Sequence, residues 1–278
     1  MLIVVFLGVN FVAVRFSNAE LPPFWGAALR FAVASALLFG VVAAMRLPLP
    51  RGKALTGAVL FGLLAFGATY ALLYWALVAV PAGLASVLFA TVPLVTLLLA
   101  STVGLERLTW TRLAGTLVVI AGVAVVFRDQ LGADVPLTAL LATMLAAVAA
   151  ALSGIVVKGF PRSHPITVNA SAMATGAGLL LAGSWLAGEA PALPTLSPTW
   201  IALAWLITSS VAAFVLMVWV LSRWTASATS YAVVLSPLVT VGIGAVLAGE
   251  RVTLAFAVGS ALVLLGVVAG ALIGPRSP

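Results

Sequence analysis

A few polar side chains stand inside long apolar runs, where they have chemistry to do. Arg30 lies about two turns into one such run. An ionisable group embedded in apolar sequence is a functional candidate, and the alternative is a long stem that carries the charge back to the surface. Asn10 is an amide inside another run, and it needs a hydrogen-bond partner there, on a neighbouring helix or on a solute. Phe66, Tyr70 and Tyr74 recur every fourth residue, with Trp75 adjacent, so the three lie on one helix face. A tyrosine joins an apolar ring to a hydroxyl and suits a small amphipathic solute, although Tyr and Trp also mark membrane interfaces. Trp205, Thr208, Ser209 and Ser210 form a second polar cluster that Tyr231 could face. Interhelical hydrogen bonding is the other reading of that cluster.

Ser86 and Pro93 are seven residues apart, as are Ser230 and Pro237. Each pair shares a helix face, and each proline frees a carbonyl about one turn earlier, near Phe89 and Val233. Such interruptions in corresponding segments point to a transport site, against the alternative of a kink that neighbours repair. Pro93 and Pro237 are therefore candidate helix breaks and gates, and Ser86 and Phe89 candidate substrate contacts. Arg15 and Lys158 end two of the runs; they either anchor the chain at the interface or join Arg30 as candidate partners of a substrate carboxylate.

The missing chemistry is as informative. The six acidic residues, Glu20, Glu106, Asp129, Asp134, Glu189 and Glu250, all fall between apolar runs or at their ends. Carriers coupled to protons or sodium often use an acid within the membrane, so uncoupled uniport is expected, with a proton-coupled antiporter as the alternative. There is no cysteine, and His164 is the single histidine. No thiolate or histidine cluster can hold a metal, and no cofactor is expected. No nucleophile motif is present either, which leaves an integral-membrane enzyme a distant alternative.

Composition says what must position these residues. The chain has 278 residues, 64% hydrophobic and 7% charged, with a mean hydropathy of +1.29. A soluble domain carries about 25% charged residues. The net charge of +7 comes from 13 bases spread along the chain, which a bilayer explains better than nucleic acid. Turn and charge signals delimit ten apolar runs at about 1–14, 24–45, 54–77, 82–103, 111–127, 136–157, 166–187, 199–221, 226–248 and 253–273. The first run is shorter than the rest, and all the later ones except 111–127 reach the roughly 20 residues a spanning helix needs. No basic region precedes the first run, so it reads as a span and not a cleaved signal peptide. With the N-terminus in the cytoplasm, inner loops and the C-terminus hold nine basic residues and outer loops three. Both termini are thus expected to be cytoplasmic.

A shift of 144 residues carries Ala82, Ser86, Pro93 and Thr96 onto Ala226, Ser230, Pro237 and Thr240. The same shift carries Glu106-Arg107 onto Glu250-Arg251, and Gly115 and Gly122 onto Gly259 and Gly266. Residues 1–128 and 136–274 thus read as two five-helix repeats in one compact membrane unit. Five is odd, so the second repeat enters the membrane inverted, an architecture of transporters with a midplane site. The glycines are expected to let helices pack closely.

Pro81-Ala-Gly-Leu-Ala-Ser-Val-Leu-Phe-Ala-Thr-Val-Pro-Leu-Val-Thr, then Glu106-Arg107-Leu-Thr and Gly115 to Gly122, resemble the repeat of EamA-type members of the drug/metabolite transporter superfamily. Leu7-Gly8-Val9-Asn10-Phe11 with Arg15 resembles that family's start, with Leu7 in place of its usual Trp and Arg15 in place of its Lys. The resemblance covers essentially the whole chain. It implies an all-α polytopic protein of ten transmembrane helices that exports small metabolites, amino acids above all, from a bacterial inner membrane. YddG-like aromatic amino-acid exporters share this layout, but no motif singles out that branch. The expected partners are a small-molecule substrate and the lipid bilayer, with no nucleic acid; the sequence leaves the oligomeric state open, a monomer among the readings. Asn10, Tyr70, Tyr74, Ser86, Phe89, Trp205, Ser209 and Tyr231 are the expected substrate contacts, in a central cavity that opens alternately to each side.

Overall fold

The computed structural model describes residues 2–105, 109–130, 135–224, 236–247 and 253–272. Among the described residues every regular element is helical. In order they are α1 (Leu2–Asn18), α2 (Pro23–Ala44), α3 (Lys53–Gly62), a π-helical segment (Leu63–Ala68), α4 (Thr69–Ala76), α5 (Ala82–Phe89), α6 (Val92–Thr102), α7 (Trp110–Gln130), α8 (Leu137–Gly159), α9 (Pro165–Leu186), α10 (Ser197–Leu221), α11 (Ser236–Leu247) and α12 (Leu254–Leu272). Six stretches among them are long and apolar enough to cross a bilayer: 23–44, 53–76, 82–102, 137–159, 165–186 and 197–221. Shorter apolar helices accompany them. Their outer faces are apolar, with Leu37, Leu117, Leu141, Leu145 and Ile201 exposed, the reverse of a soluble protein and what a lipid environment favours.

Proline sets several helix starts. Pro23 opens α2, Pro165 opens α9, and Pro198 lies in the first turn of α10, where the missing N–H costs nothing. His164 precedes α9, and its Nδ1 accepts the N–H of Ile166 at 3.3 Å, so the histidine caps a helix. The first helix runs four residues past the expected stop at Val14. Arg15 is exposed in its last turn, where a cation suits the helix dipole and the charge does not end the helix.

Two helices are interrupted at the depth of the polar residues. The stretch 82–102 breaks at Ala90–Thr91, and Pro93 lies in the first turn of α6. Pro93 has no N–H for the Phe89 carbonyl, and the Thr91 hydroxyl closes back on the Leu88 carbonyl at 2.8 Å. Between α3 and α4 the ladder widens to π geometry, and the Thr69 hydroxyl donates to the Leu64 carbonyl at 2.7 Å. Such a π segment inserts a residue and re-aims the side chains beyond it.

Glycine brings the helices close. A Cβ on Gly62 would lie 2.3 Å from the Ala172 carbonyl oxygen, and one on Gly176 would lie 2.3 Å from the Phe66 Cβ, so α3, the π segment and α9 approach at backbone contact. At the α7–α12 crossing a Cβ on Gly122 would meet the Gly259 oxygen at 2.6 Å. On the other helix, a Cβ on Gly266 would meet the Gly115 oxygen at 2.5 Å. Small residues at both crossings let van der Waals packing hold helices that lipid cannot drive together.

The bundle has two chemically different ends. Lys158 and Arg162 lie with Ala54 and Ser222 at one of them, the basic end. Glu20 and Glu189 lie at the other, the acidic end.

Candidate functional site

Three cavities adjoin one another in the bundle. The first, at the basic end, is lined by Lys158, Arg162, Ser163, Val218 and Leu221 among others. The second shares Val218 and Leu221 with the first. Its wall is apolar, with Phe61, Ala65, Phe214 and Met217, and its polar groups are Thr69, Thr96 and Ser153. Each of those hydroxyls donates to a backbone carbonyl, of Leu64, Val92 and Ala150, so each offers the cavity lone pairs and no proton. The third is the smallest and is lined by Asn10, Phe11, Val14, Leu73, Tyr74 and Leu77. Leu7, Tyr70 and Phe89 line both the second and the third, and so form a partition between them.

The partition is aromatic and braced. Tyr70 meets Phe31 edge-on with centroids 4.7 Å apart, and Phe214 at 6.2 Å. Phe66 bridges Phe31 and Phe214 at 5.1 and 4.8 Å. Across from them Phe89, the last residue of α5 before the break, meets Phe11 edge-on at 5.9 Å. Edge-to-face geometry at these separations is attractive.

Asn10 has a fixed orientation. Trp205 Nε1 donates to its Oδ1 at 3.1 Å, and Ser209 Oγ donates to the same oxygen at 2.7 Å. An indole N–H can only donate, so the atom it meets must be the amide oxygen. The Asn10 nitrogen is buried and has no partner among the described residues.

Arg30 is fully buried. Its guanidinium lies 4.8 Å from the Phe31 ring centre and 4.9 Å from that of Tyr70. Nε donates to Ser210 Oγ at 2.7 Å and Nη1 to Tyr74 Oη at 3.4 Å, while Nη2 has no partner among the described residues. The charge is enclosed within the bundle and has not been carried to the surface. Ser210 can accept because its own proton goes to the Leu206 carbonyl at 2.6 Å.

Asn10, Tyr70, Tyr74, Phe89, Trp205, Ser209 and Arg30 therefore come together, lining or backing the two inner cavities. Ser86 is buried, but its hydroxyl donates to the Gly83 carbonyl at 2.8 Å, and it lines none of the three cavities. Lys158 lines the basic cavity and donates to the Trp224 carbonyl. Arg15 is exposed near the acidic end, away from the cavities. Pro93 and Pro237 are buried near the starts of α6 and α11, and Thr240 in α11 donates to the Gly8 carbonyl of α1 at 2.9 Å. Tyr231 and Ser230 lie outside the described residues. Sequence reasoning missed Phe214, Thr69, Thr96 and Ser153 as cavity residues. Nothing marks them in sequence, since isolated hydroxyls and rings recur throughout the apolar runs.

The relatives are transporters. The profile of the EamA-like transporter family matches residues 1–128 and again 137–270. An uncharacterised transporter of Archaeoglobus fulgidus is 28% identical over 96% of this chain and 95% of its own length. A protein of Streptantibioticus cattleyicolor, named a probable terminal-alkyne amino-acid exporter, is 39% identical over 35% of this chain and 33% of its own. A protein of Escherichia coli K12, named a probable amino-acid metabolite efflux pump, is 34% identical over 53% of this chain and 48% of its own. The matched stretch thus spans about a third and about half of those two relatives. A solved crystal structure superposes with a TM-score of 0.79 over 98% of this chain and 94% of its own, at 21% identity, and shares the fold. These names point to transport rather than catalysis, and the chain belongs to the EamA-like transporter family.

Proposed function

We propose that this chain exports small amphipathic metabolites, amino acids and their derivatives above all, by alternating access. The observation that carries the reading is the series of three adjoining cavities, the inner two divided by Tyr70, Phe89 and Leu7. Apolar walls with a few placed polar groups suit a small solute with an apolar body. The names of the Streptantibioticus and Escherichia relatives support an amino-acid substrate.

In this reading the two family matches are the two halves of a ten-helix inverted repeat. The reciprocal contacts of Gly122 with Gly259 and Gly266 with Gly115 support it, because a two-fold relation exchanges them. Positive-inside placement puts the basic end in the cytoplasm of an inner membrane, so the first cavity lies on the cytoplasmic side. Transport is uncoupled: the acids with described side chains, Glu20 and Glu189, sit at the acidic end and line none of the three cavities.

Purified protein in liposomes loaded with labelled amino acids tests this. Release of amino acids that ignores an imposed proton gradient is the expected result. Release driven by the gradient replaces uniport with proton antiport, and no release of any amino acid overturns the substrate class.

A further inference from the structure

We infer that the third cavity is a carboxylate-binding subsite, built from Asn10 and Tyr74 and charged from behind by Arg30. This deepens the exporter reading and rests on it for the meaning of the substrate, though not for the binding chemistry.

The inference starts from which polar atoms remain to be satisfied. Asn10 lines this cavity and is 5% exposed. Both bonds to its oxygen come from α10, so the oxygen is occupied and the two amide hydrogens are left over. Ser209 also approaches the Leu206 carbonyl at 3.1 Å, but its one proton favours the shorter bond to Asn10 at 2.7 Å. Tyr74 lines the same cavity and is fully buried. Its oxygen accepts from Arg30, so its own hydrogen is free to donate. The amide and phenol donors thus lie buried together directly behind the apolar lining of this cavity, with no acceptor for either among the described residues. The hydrogen-bonding complement of two donors is a group that only accepts, and an ionised carboxylate is such a group.

Charge points the same way. Arg30 is enclosed, and among the described residues no carboxylate is bonded to it and Nη2 has no partner. A buried charge in a bilayer is costly unless an opposite charge or a set of hydrogen bonds compensates it. The chain supplies two hydrogen bonds and two ring faces. A substrate carboxylate on Tyr74 completes the relay from guanidinium to phenol oxygen to anion, and each bond polarises the next. Arg30 is thus a positioning residue: it acts through Tyr74 and does not line the cavity. The apolar part of such a solute would extend past Phe89 and Tyr70 into the second cavity. There the three hydroxyls with committed protons offer lone pairs to an ammonium or amide N–H.

The test is binding in detergent, where transport plays no part. Thermal-shift titrations compare 3-phenylpropionate, 3-phenylpropanol, phenylethylamine and phenylalanine, which differ at the carboxylate and the amine. The wild type is expected to bind the two carboxylates at least about tenfold more tightly than the alcohol or the amine. Tyr74→Phe, which removes a single oxygen, and Asn10→Leu should each cut that preference about tenfold. Arg30→Gln should abolish the preference. Equal binding of acid and alcohol by the wild type, a preference that survives Tyr74→Phe, or no shift with any of the four compounds overturns the subsite. Carboxylate preference intact in a protein that moves no amino acid in liposomes sinks the exporter reading and leaves the subsite standing.

Discussion

Glu189 accepts the backbone N–H of Trp25 at 2.8 Å from a loop 164 residues further along the chain. Its other oxygen accepts the N–H of Phe24 at 3.1 Å, so this carboxylate caps the start of α2. The reverse also holds: Glu20, in the α1–α2 loop, accepts the N–H groups of Thr195 and Leu196 at the start of α10. Each loop's acid caps the other loop's helix, where a carboxylate meets both free N–H groups and the positive end of the dipole. The Trp25 indole adds a bond to the Ala192 carbonyl at 2.6 Å. Together these bonds form a latch between the two loops at the acidic end. The chain has no cysteine, so a single Val14→Cys, buried in the third cavity, reports opening. Adding Glu189→Ala should raise its labelling by a membrane-impermeant maleimide from the acidic end about fivefold, in line with the loss of one cap of about 1 kcal/mol. Unchanged labelling means the caps stabilise helices without closing the end.

Glu20 makes the same latch sensitive to pH. Its hydrogen bond from the Thr195 hydroxyl, joined by bonds from backbone N–H groups, holds its pKa down from 4.5 to about 2. A carboxyl whose pKa is lower folded than unfolded stabilises the fold above its unfolded value and loses that contribution as the pH falls through its folded value. The difference in melting temperature between the wild type and Glu20→Gln should therefore be full at pH 7. It should narrow from about pH 4.5 downward and approach zero near pH 2. Melts of both proteins at pH 7, 5 and 3 check this; a gap that is constant across the three assigns the effect to packing of the loop.

The membrane-protein character and the helical class were legible in the sequence, because composition and run length alone require them. Asn10 and Arg30 were legible as well, since a polar group in an apolar run is conspicuous. Their partners were not. The residue that fixes the Asn10 amide is Trp205, 195 positions away, and Ser210 meets Arg30 from 180 positions away. Only packing decides which of many hydroxyls arrives. The π segment over Leu63–Ala68 has no composition of its own, and it changes which side chains share a face with Tyr70. Ser86 shows the opposite failure. Its spacing with Pro93 is real, but a serine in a helix can spend its proton on its own backbone, as this one does on Gly83. Glu20 and Glu189 read as loop acids, and only the fold sets each against a helix end.

Glycine at the α7–α12 crossing gives a prediction about assembly of the two halves. Alanine normally stabilises a helix by about 1 kcal/mol over glycine. At Gly122 the added methyl would sit 2.6 Å from the Gly259 oxygen and 2.8 Å from the Val263 nitrogen, both backbone atoms that cannot rotate away. Gly122→Ala should therefore lose the propensity gain and cost a further ~1–3 kcal/mol through overpacking. Gly266→Ala should match it, because its methyl meets the Gly115 oxygen at 2.5 Å and the Val119 nitrogen at 2.7 Å. Gly242, with open space around its Cβ position, is the control, and Gly242→Ala should melt at or above the wild-type temperature. Equal melting of all three variants would mean that the crossing is loose enough to absorb a methyl.

Arg30 separates stability from function most sharply. Methionine is close to it in length, flexible and uncharged. Arg30→Met removes the bonds to Ser210 and Tyr74 and two ring contacts. It also removes a buried charge that costs about 2.5–3.5 kcal/mol to place at the centre of a membrane helix. Ser210 keeps its bond to the Leu206 carbonyl at 2.6 Å, so no buried donor is orphaned there. Replacing a whole buried ion pair by well-packed apolar groups is commonly neutral or stabilising by about 1–4 kcal/mol, and Arg30→Met leaves no opposite charge stranded among the described residues. The variant should therefore melt at or above the wild-type temperature while its release of labelled amino acid from liposomes falls at least about tenfold, the equivalent of about 1.4 kcal/mol. Melting and release are measured on the same preparation. A variant that is destabilised by several degrees would make Arg30 a structural strut, held for its contacts to α4 and α10. One that is stable and fully active would remove the charge from the transport mechanism altogether.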